Sequence, residues 1–187
     1  MNDYKNDLEF IKKYFHSNKK LNFTYSWNHA VRTAEYLNGL ILKHGETGKN
    51  RALFYGALGH DLLEDTEIDE GEIARKWGKT TLLYIRALTN RRGDDDFDEY
   101  IEGLKKAEEE ILLIKLADIR DNADNSLKKF ADLKPDWLKN FWLPLLKKYE
   151  KELFGRKFRK YPLSSAEMIM EIKDKIKQLE SKIKPKK

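Results

Sequence analysis

The stretch Leu58-Gly59-His60-Asp61-Leu62-Leu63-Glu64-Asp65-Thr66 places one imidazole and three carboxylates within six residues, directly after a strongly apolar run. Apolar residues recurring at three and four positions predict a helix from about Gly48 to Leu63, ending just before the acidic cluster. On that helix His60 and Glu64 share one face, as do Asp61 and Asp65. Carboxylates gathered at a helix C-terminus oppose the macrodipole and repel one another, so the cluster calls for a cation.

The same three-and-four periodicity runs through nearly the whole chain, glycine and proline are scarce, and no run alternates as a strand does. An all-α protein is predicted. Upstream, a helix spans about Asp3 to Phe15, with Leu8, Ile11 and Phe15 on one face. A loop from Ser17 to Tyr25 follows, and Ser26 caps a second helix reaching about Lys43. Downstream come helices over Asp69 to Trp77, closed by Gly78, and Thr80 to Leu88. A polar break over Thr89 to Gly93 precedes a helix starting within Asp94 to Asp96. The apolar string Ile111 to Leu116 marks a buried helix over about Glu108 to Asn122.

Pro135 opens an aromatic-rich helix, interrupted at Pro144 and continuing to about Phe154; the spacing of Trp137, Phe141 and Trp142 describes a core-facing stripe rather than a surface for stacking a base. Ser164 and Glu167 have the spacing of a capping box, which opens a last helix with Ile169, Ile172, Ile176, Leu179 and Ile183 in heptad register. The expected division is one helical domain over residues 1–163 and a C-terminal helix over residues 164–187. The end of that helix, Lys182 to Lys187, is expected to fray. The helix packs on its own domain or pairs with a second copy, which would make a homo-oligomer.

The 187 residues, 40% hydrophobic, are enough for one core. With no cysteine, any metal must be held by His, Asp, Glu or backbone oxygen. No run approaches the roughly 20 apolar residues of a membrane span, and the N-terminus has no secretory pattern, so a cytoplasmic protein away from membranes is expected. Of the net charge of +5, the segment from Glu171 to Lys187 carries +4, with seven lysines against three acids. The nearly neutral remainder argues against a nucleic-acid binder.

Two further residues complete a candidate metal set: His29, early in the second helix, and Asp118, in Lys115-Leu116-Ala117-Asp118-Ile119-Arg120-Asp121-Asn122. Two imidazoles and two carboxylates suit manganese, iron or another transition ion with positions left for water and phosphate oxygen. His16 and His44 lack such company and are assigned to the surface. Cations for a phosphorylated ligand are Arg32, Lys115, Arg91, Arg92 and Arg120, with Lys115 favoured because it lies one turn before Asp118.

The order His29, His60-Asp61-Leu62-Leu63-Glu64-Asp65-Thr66, then Lys115-Leu116-Ala117-Asp118 with Asn122, resembles the HD hydrolase domain of RelA/SpoT-type enzymes and the small alarmone hydrolases, over about Tyr25 to Asn125. The resemblance implies a single HD-domain helical bundle. It implies that His29, His60, Asp61 and Asp118 bind Mn2+, that Glu64 and Asp65 assist the attacking water, and that Asn122 contacts the nucleotide, with Lys115 and Arg32 beside it. The implied reaction removes the 3′-pyrophosphate of ppGpp or pppGpp to give GDP or GTP. The chain departs from the family pattern where Ile119-Arg120-Asp121 stands in place of Arg-Leu-His, and where Ala30 follows His29 in place of proline. These departures touch substrate recognition and leave two alternatives open: an HD-type 5′-(deoxy)nucleotide monophosphatase, and a catalytically silent nucleotide-binding protein.

Overall fold

In a computed structural model, residues 2–17, 23–46, 51–90 and 97–183 are described, and among them every element is helical. The fold is an all-α bundle. Its elements are α1 (Asn2–Ser17), α2 (Phe23–His44), α3 (Arg51–Gly59), α4 (Leu62–Asp65), α5 (Glu70–Trp77), α6 (Lys79–Leu88), α7 (Phe97–Lys106), α8 (Glu109–Lys128), α9 (Pro135–Trp137), α10 (Leu143–Leu153) and α11 (Pro162–Ile183). Asp94 to Asp96, the expected start of a helix, lie outside the described residues.

Helix α8 is the axis of the bundle. Ile111, Leu112, Leu113, Ile114, Leu116, Ala117, Ile119 and Ala123 are all buried, so its first half is apolar nearly all round, as a segment enclosed by other helices must be, and its second half is largely polar. It packs against α2, α3, α6, α7 and α11. The heptad residues Ile172, Ile176 and Leu179 of α11 are buried in the same cluster as α8, and α11 also touches α2 and α10.

The expected continuous helix to Leu63 is broken. Helix α3 ends at Gly59, His60 and Asp61 form a turn, and the chain restarts as α4, with the Asp61 carbonyl accepting from the Glu64 and Asp65 amides. Gly59 closes the helix against its neighbours. A Cβ there would sit 2.7 Å from Trp77 and 2.8 Å from Ile85, so α3 can approach α5 and α6 this closely only with glycine. The acids therefore belong to the first turn of a new short helix, not to the end of a long one.

Two expected caps are replaced. Helix α2 begins at Phe23, upstream of Ser26. Helix α11 begins at Pro162, and Glu46 takes the amides of Leu163 and Ser164 at 2.6 and 3.0 Å, while Glu167 pairs with Lys43 and His44 instead of closing a capping box. His44 is thus half-buried against Glu167 rather than a bare surface residue; the side chain of His16 is outside the described set.

The interruption near Pro144 is a wide π turn over Leu138–Trp142, in which the Leu143 amide reaches the Leu138 carbonyl five residues back. Proline has no N–H and its ring crowds the carbonyl four residues earlier, and widening the preceding turn relieves both. The turn also changes which aromatics face inward. Trp142 is buried, but Trp137 is 40% and Phe141 55% exposed, so the expected core stripe is core at one residue only.

Candidate metal centre

Three separate segments converge on one point: His29 from α2, the His60-Asp61 turn after α3, and Asp118 from α8. His29 Nε2 lies 3.1 Å from His60 Nε2, 3.1 Å from Asp118 Oδ1 and 3.7 Å from Asp61 Oδ2. His60 Nε2 lies 3.1 Å from Asp61 Oδ1 and 3.5 Å from Asp118 Oδ1. His29, His60 and Asp61 each bring a ligand atom within 4.8 Å of the others.

The outer ring nitrogens decide what the inner ones can do. His29 Nδ1 meets the Asp121 carboxylate at 2.7 Å, and His60 Nδ1 meets the Ala57 carbonyl at 2.8 Å. Both partners only accept, so each Nδ1 carries the hydrogen, and each ring, once Nε2 gives up its proton, turns a lone pair inward. Two imidazole lone pairs and two carboxylates then face one another, an arrangement that demands positive charge. Ligands about 2.1 Å from an ion and at right angles to each other stand about 3 Å apart, the spacing seen here, so the donor set fits a divalent transition ion.

The electrostatics express the same demand. Burial pulls the His29 pKa down, but hydrogen bonds to Asp118 and Asp121 outweigh it and lift it to about 9. His60 is likewise raised well above the usual range, burial being overcome by Asp61 and Asp118. Burial opposes ionisation of Asp118, yet Lys115 and then the two imidazoles hold its carboxyl well below the ordinary value.

Around the centre lies a cleft of about 750 Å³. Asp61, Glu64, Asp65, Asp118 and Asn122 line its polar side, and Phe97, Phe141, Trp142, Leu145 and Tyr149 its apolar side. A smaller slot of about 420 Å³, walled by Trp137 and Trp142, shares Asn122 and Trp142 with it. The indoles of Trp137 and Trp142 are stacked, 5.8 Å apart and 9° from parallel. Glu64 accepts from the Asn90 amide at 3.1 Å; burial first, then the neighbouring Asp61 charge, raises its pKa.

The residues expected to meet substrate are held more tightly than the sequence suggests. Lys115 donates to Asp118 Oδ2 at 2.8 Å and lies 5.6 and 5.5 Å from the ring centres of Tyr100 and Tyr149. Asn122 donates to Asp118 Oδ1 at 2.6 Å. Arg32 is drawn to Asp121 through Nε at 3.0 Å and Nη2 at 2.7 Å and does not line the cleft. Arg120 turns away to Glu171, and Arg91 and Arg92 are outside the described residues. Asp121, Asn90, Phe141 and Trp142 join the site without having been expected there from the sequence. Asp121 had a signal, since it follows Asp118 by three as Arg32 follows His29, and such residues share a helix face.

No described helix is long and apolar enough to cross a membrane. No family model matches the chain, and no curated protein matches it. Among solved structures the chain is similar to one described as a metazoan ortholog of SpoT that hydrolyzes ppGpp and plays a role in starvation responses, at a TM-score of 0.70 and 17% identity, over 95% of this chain and 96% of that one. Over nearly its whole length, therefore, the chain has the fold of that ppGpp-hydrolysing protein.

Proposed function

We propose that the chain is a metal-dependent nucleotide phosphohydrolase that removes the 3′-pyrophosphate of ppGpp or pppGpp. The observation that carries this reading is the acceptor-only centre of His29, His60, Asp61 and Asp118 opening into a cleft with an aromatic wall. The solved protein of like fold, described as hydrolysing ppGpp, supports the choice of substrate. His29, His60, Asp61 and Asp118 would hold the ion, with Mn2+ as the expected metal. Such an ion, when bound, lowers the pKa of water and polarises a phosphoryl oxygen.

The chain's own groups do the rest. Glu64, with its raised pKa and its carboxylate held by the Asn90 amide, is suited to take a proton from the attacking water or return one to the leaving oxygen. Asp65 lines the same side of the cleft. Phe141 and Trp142 offer rings against a base, and Asn122 keeps Asp118 oriented. Water adds to phosphorus, the bond to the ribose 3′ oxygen breaks, and GDP or GTP leaves with pyrophosphate.

One observation favours a second substrate. The described cleft residues include four acids, Asp61, Glu64, Asp65 and Asp118, against Lys115 and Lys148, and both lysines are paired, with Asp118 and Asp98. That charge balance suits a ligand with fewer phosphates, such as a 5′-(deoxy)nucleotide monophosphate.

The deciding experiment measures pyrophosphate and phosphate release from ppGpp, GTP, dAMP and AMP with Mn2+, using Asp61→Ala as the blank and Asp118→Ala as a second loss. Pyrophosphate from ppGpp that disappears in both variants is the expected result. Release from monophosphates alone would move the substrate to the second reading, and binding of nucleotide without turnover would make the chain a binding protein.

A further inference from the structure

The two imidazoles of the centre are oriented by different means. His60 gives its Nδ1 hydrogen to the carbonyl of Ala57, three residues earlier in the same segment, so its orientation is a property of the backbone. The Nδ1 of His29 gives its hydrogen instead to a side chain, that of Asp121, one turn beyond Asp118 on α8. That carboxylate is buried and fully engaged. Oδ2 accepts from His29 Nδ1 and Arg32 Nη2, both at 2.7 Å, and Oδ1 accepts from Arg32 Nε at 3.0 Å.

A guanidinium gripping both carboxylate oxygens fixes the plane of the group as a single point charge would not. Arg32 stands three residues after His29 and Asp121 three after Asp118, so the two pairs meet across the packed faces of α2 and α8, with Arg32 and Asp121 themselves outside the cleft lining. We propose that Asp121, itself held in plane by Arg32, is the positioning residue that keeps the hydrogen of His29 on Nδ1 and turns Nε2 toward the centre.

This rests on the metal reading above, and it deepens that reading by making the centre depend on a two-residue latch that touches neither ion nor substrate. Arg32 is thereby a part of the latch and not a phosphate ligand. The latch also predicts an asymmetry: truncating one side chain takes away the carboxylate that orients the His29 ring, whereas the carbonyl that orients the His60 ring survives any side-chain substitution.

The test uses the full-length, metal-stripped protein. Mn2+ affinity is measured by titration for the wild type, Arg32→Ala, Asp121→Ala and the double variant, with melting curves to confirm folding. The Nδ1–H resonance of His29 is followed by NMR in the metal-free samples. Asp121→Ala is expected to weaken Mn2+ about 10–100-fold and to abolish the His29 Nδ1–H resonance while leaving that of His60. Arg32→Ala is expected to weaken binding less, and the double variant no more than Asp121→Ala alone, because Arg32 acts through Asp121.

Independent, additive losses would overturn the latch, as would a wild-type affinity and an intact His29 resonance in Asp121→Ala. If Asp121→Ala does not fold, Arg32→Ala decides, since Arg32 is 41% exposed and its loss leaves no large cavity; unchanged affinity there refutes the proposal. If the wild type binds no Mn2+, the metal reading falls by itself. The His29 resonance then judges the latch alone, its loss in Asp121→Ala upholding it and its persistence overturning it.

Discussion

Replacing Gly59 by alanine tests the geometry that brings His60 and Asp61 to the centre. The added Cβ would lie 2.7 Å from Trp77 Cζ3 and 2.8 Å from Ile85 Cδ1. Ordinary carbon contacts are about 3.5–4.0 Å, so both neighbours must retreat by about 0.7 Å or more. Neither can do so by rotating away. Trp77 is stacked on Tyr55 and donates its indole N–H to the buried Asp7 at 3.0 Å, and Ile85 has no exposed surface. Overpacking of this kind costs about 1–3 kcal/mol, and alanine's helix preference over glycine returns at most about 1 kcal/mol at a helix end. The net loss should be about 1–2 kcal/mol, a drop in melting temperature of about 2–8 °C for a chain of this size.

Gly39 and Gly103 are the controls. Both are exposed, within α2 and α7, and an added Cβ at either would meet nothing within 4 Å, so alanine there should stabilise by about 0.5–1 kcal/mol. Urea unfolding followed by circular dichroism measures all three. A Gly59→Ala protein as stable as the wild type, or three shifts of one sign, would refute the account of close packing at Gly59.

Phe141→Ala removes an exposed ring from the cleft wall and should raise KM for the nucleotide about tenfold with little change in kcat, read by steady-state kinetics; an unchanged KM would take Phe141 out of base binding. Glu46→Gln should lower stability by about 1 kcal/mol in thermal melting, because the amide cannot accept as strongly from the two amides opening α11. Burial raises the Asp121 pKa but hydrogen bonds from His29 and Arg32 prevail and depress it to about 2, against 3.8 ordinarily. Its contribution to stability is therefore present above pH 3.8 and lost as pH falls toward 2, so Asp121→Asn should show a shallower loss of stability across that window, and equal slopes would contradict the pairing.

The bundle is legible in the sequence because its signals are local. The apolar string of α8 reads as a buried helix from its composition, His60 and Asp61 stand out because four potential ligands crowd into six residues, and His29 and Asp118 because their order around that cluster resembles a known motif pattern. What the sequence hides depends on partners distant in the chain. The close packing that requires glycine at position 59 is set by Trp77 and Ile85, and the start of α11 is fixed by Glu46, more than a hundred residues earlier. Nor does anything local reveal that Asp121, 89 residues away, will face Arg32. Trp137, Phe141 and Trp142 read as core on a 3.6-residue period, which the π turn breaks.

That π turn carries one residue more than a regular helix of the same rise. Deleting Lys139 would let the segment relax to ordinary α geometry while α9 and α10 keep nearly the same facing, because five residues of a π turn sweep about as much rotation as four of an α turn. Trp137 would still face Trp142, four residues away instead of five, and the indole wall would persist without any loop changing length. Insertions and deletions are usually absorbed at loop tips; here the body of a helix holds the slack, so a single-codon length change at this rim can be taken up while the cleft wall and the bundle beneath it stay as they are.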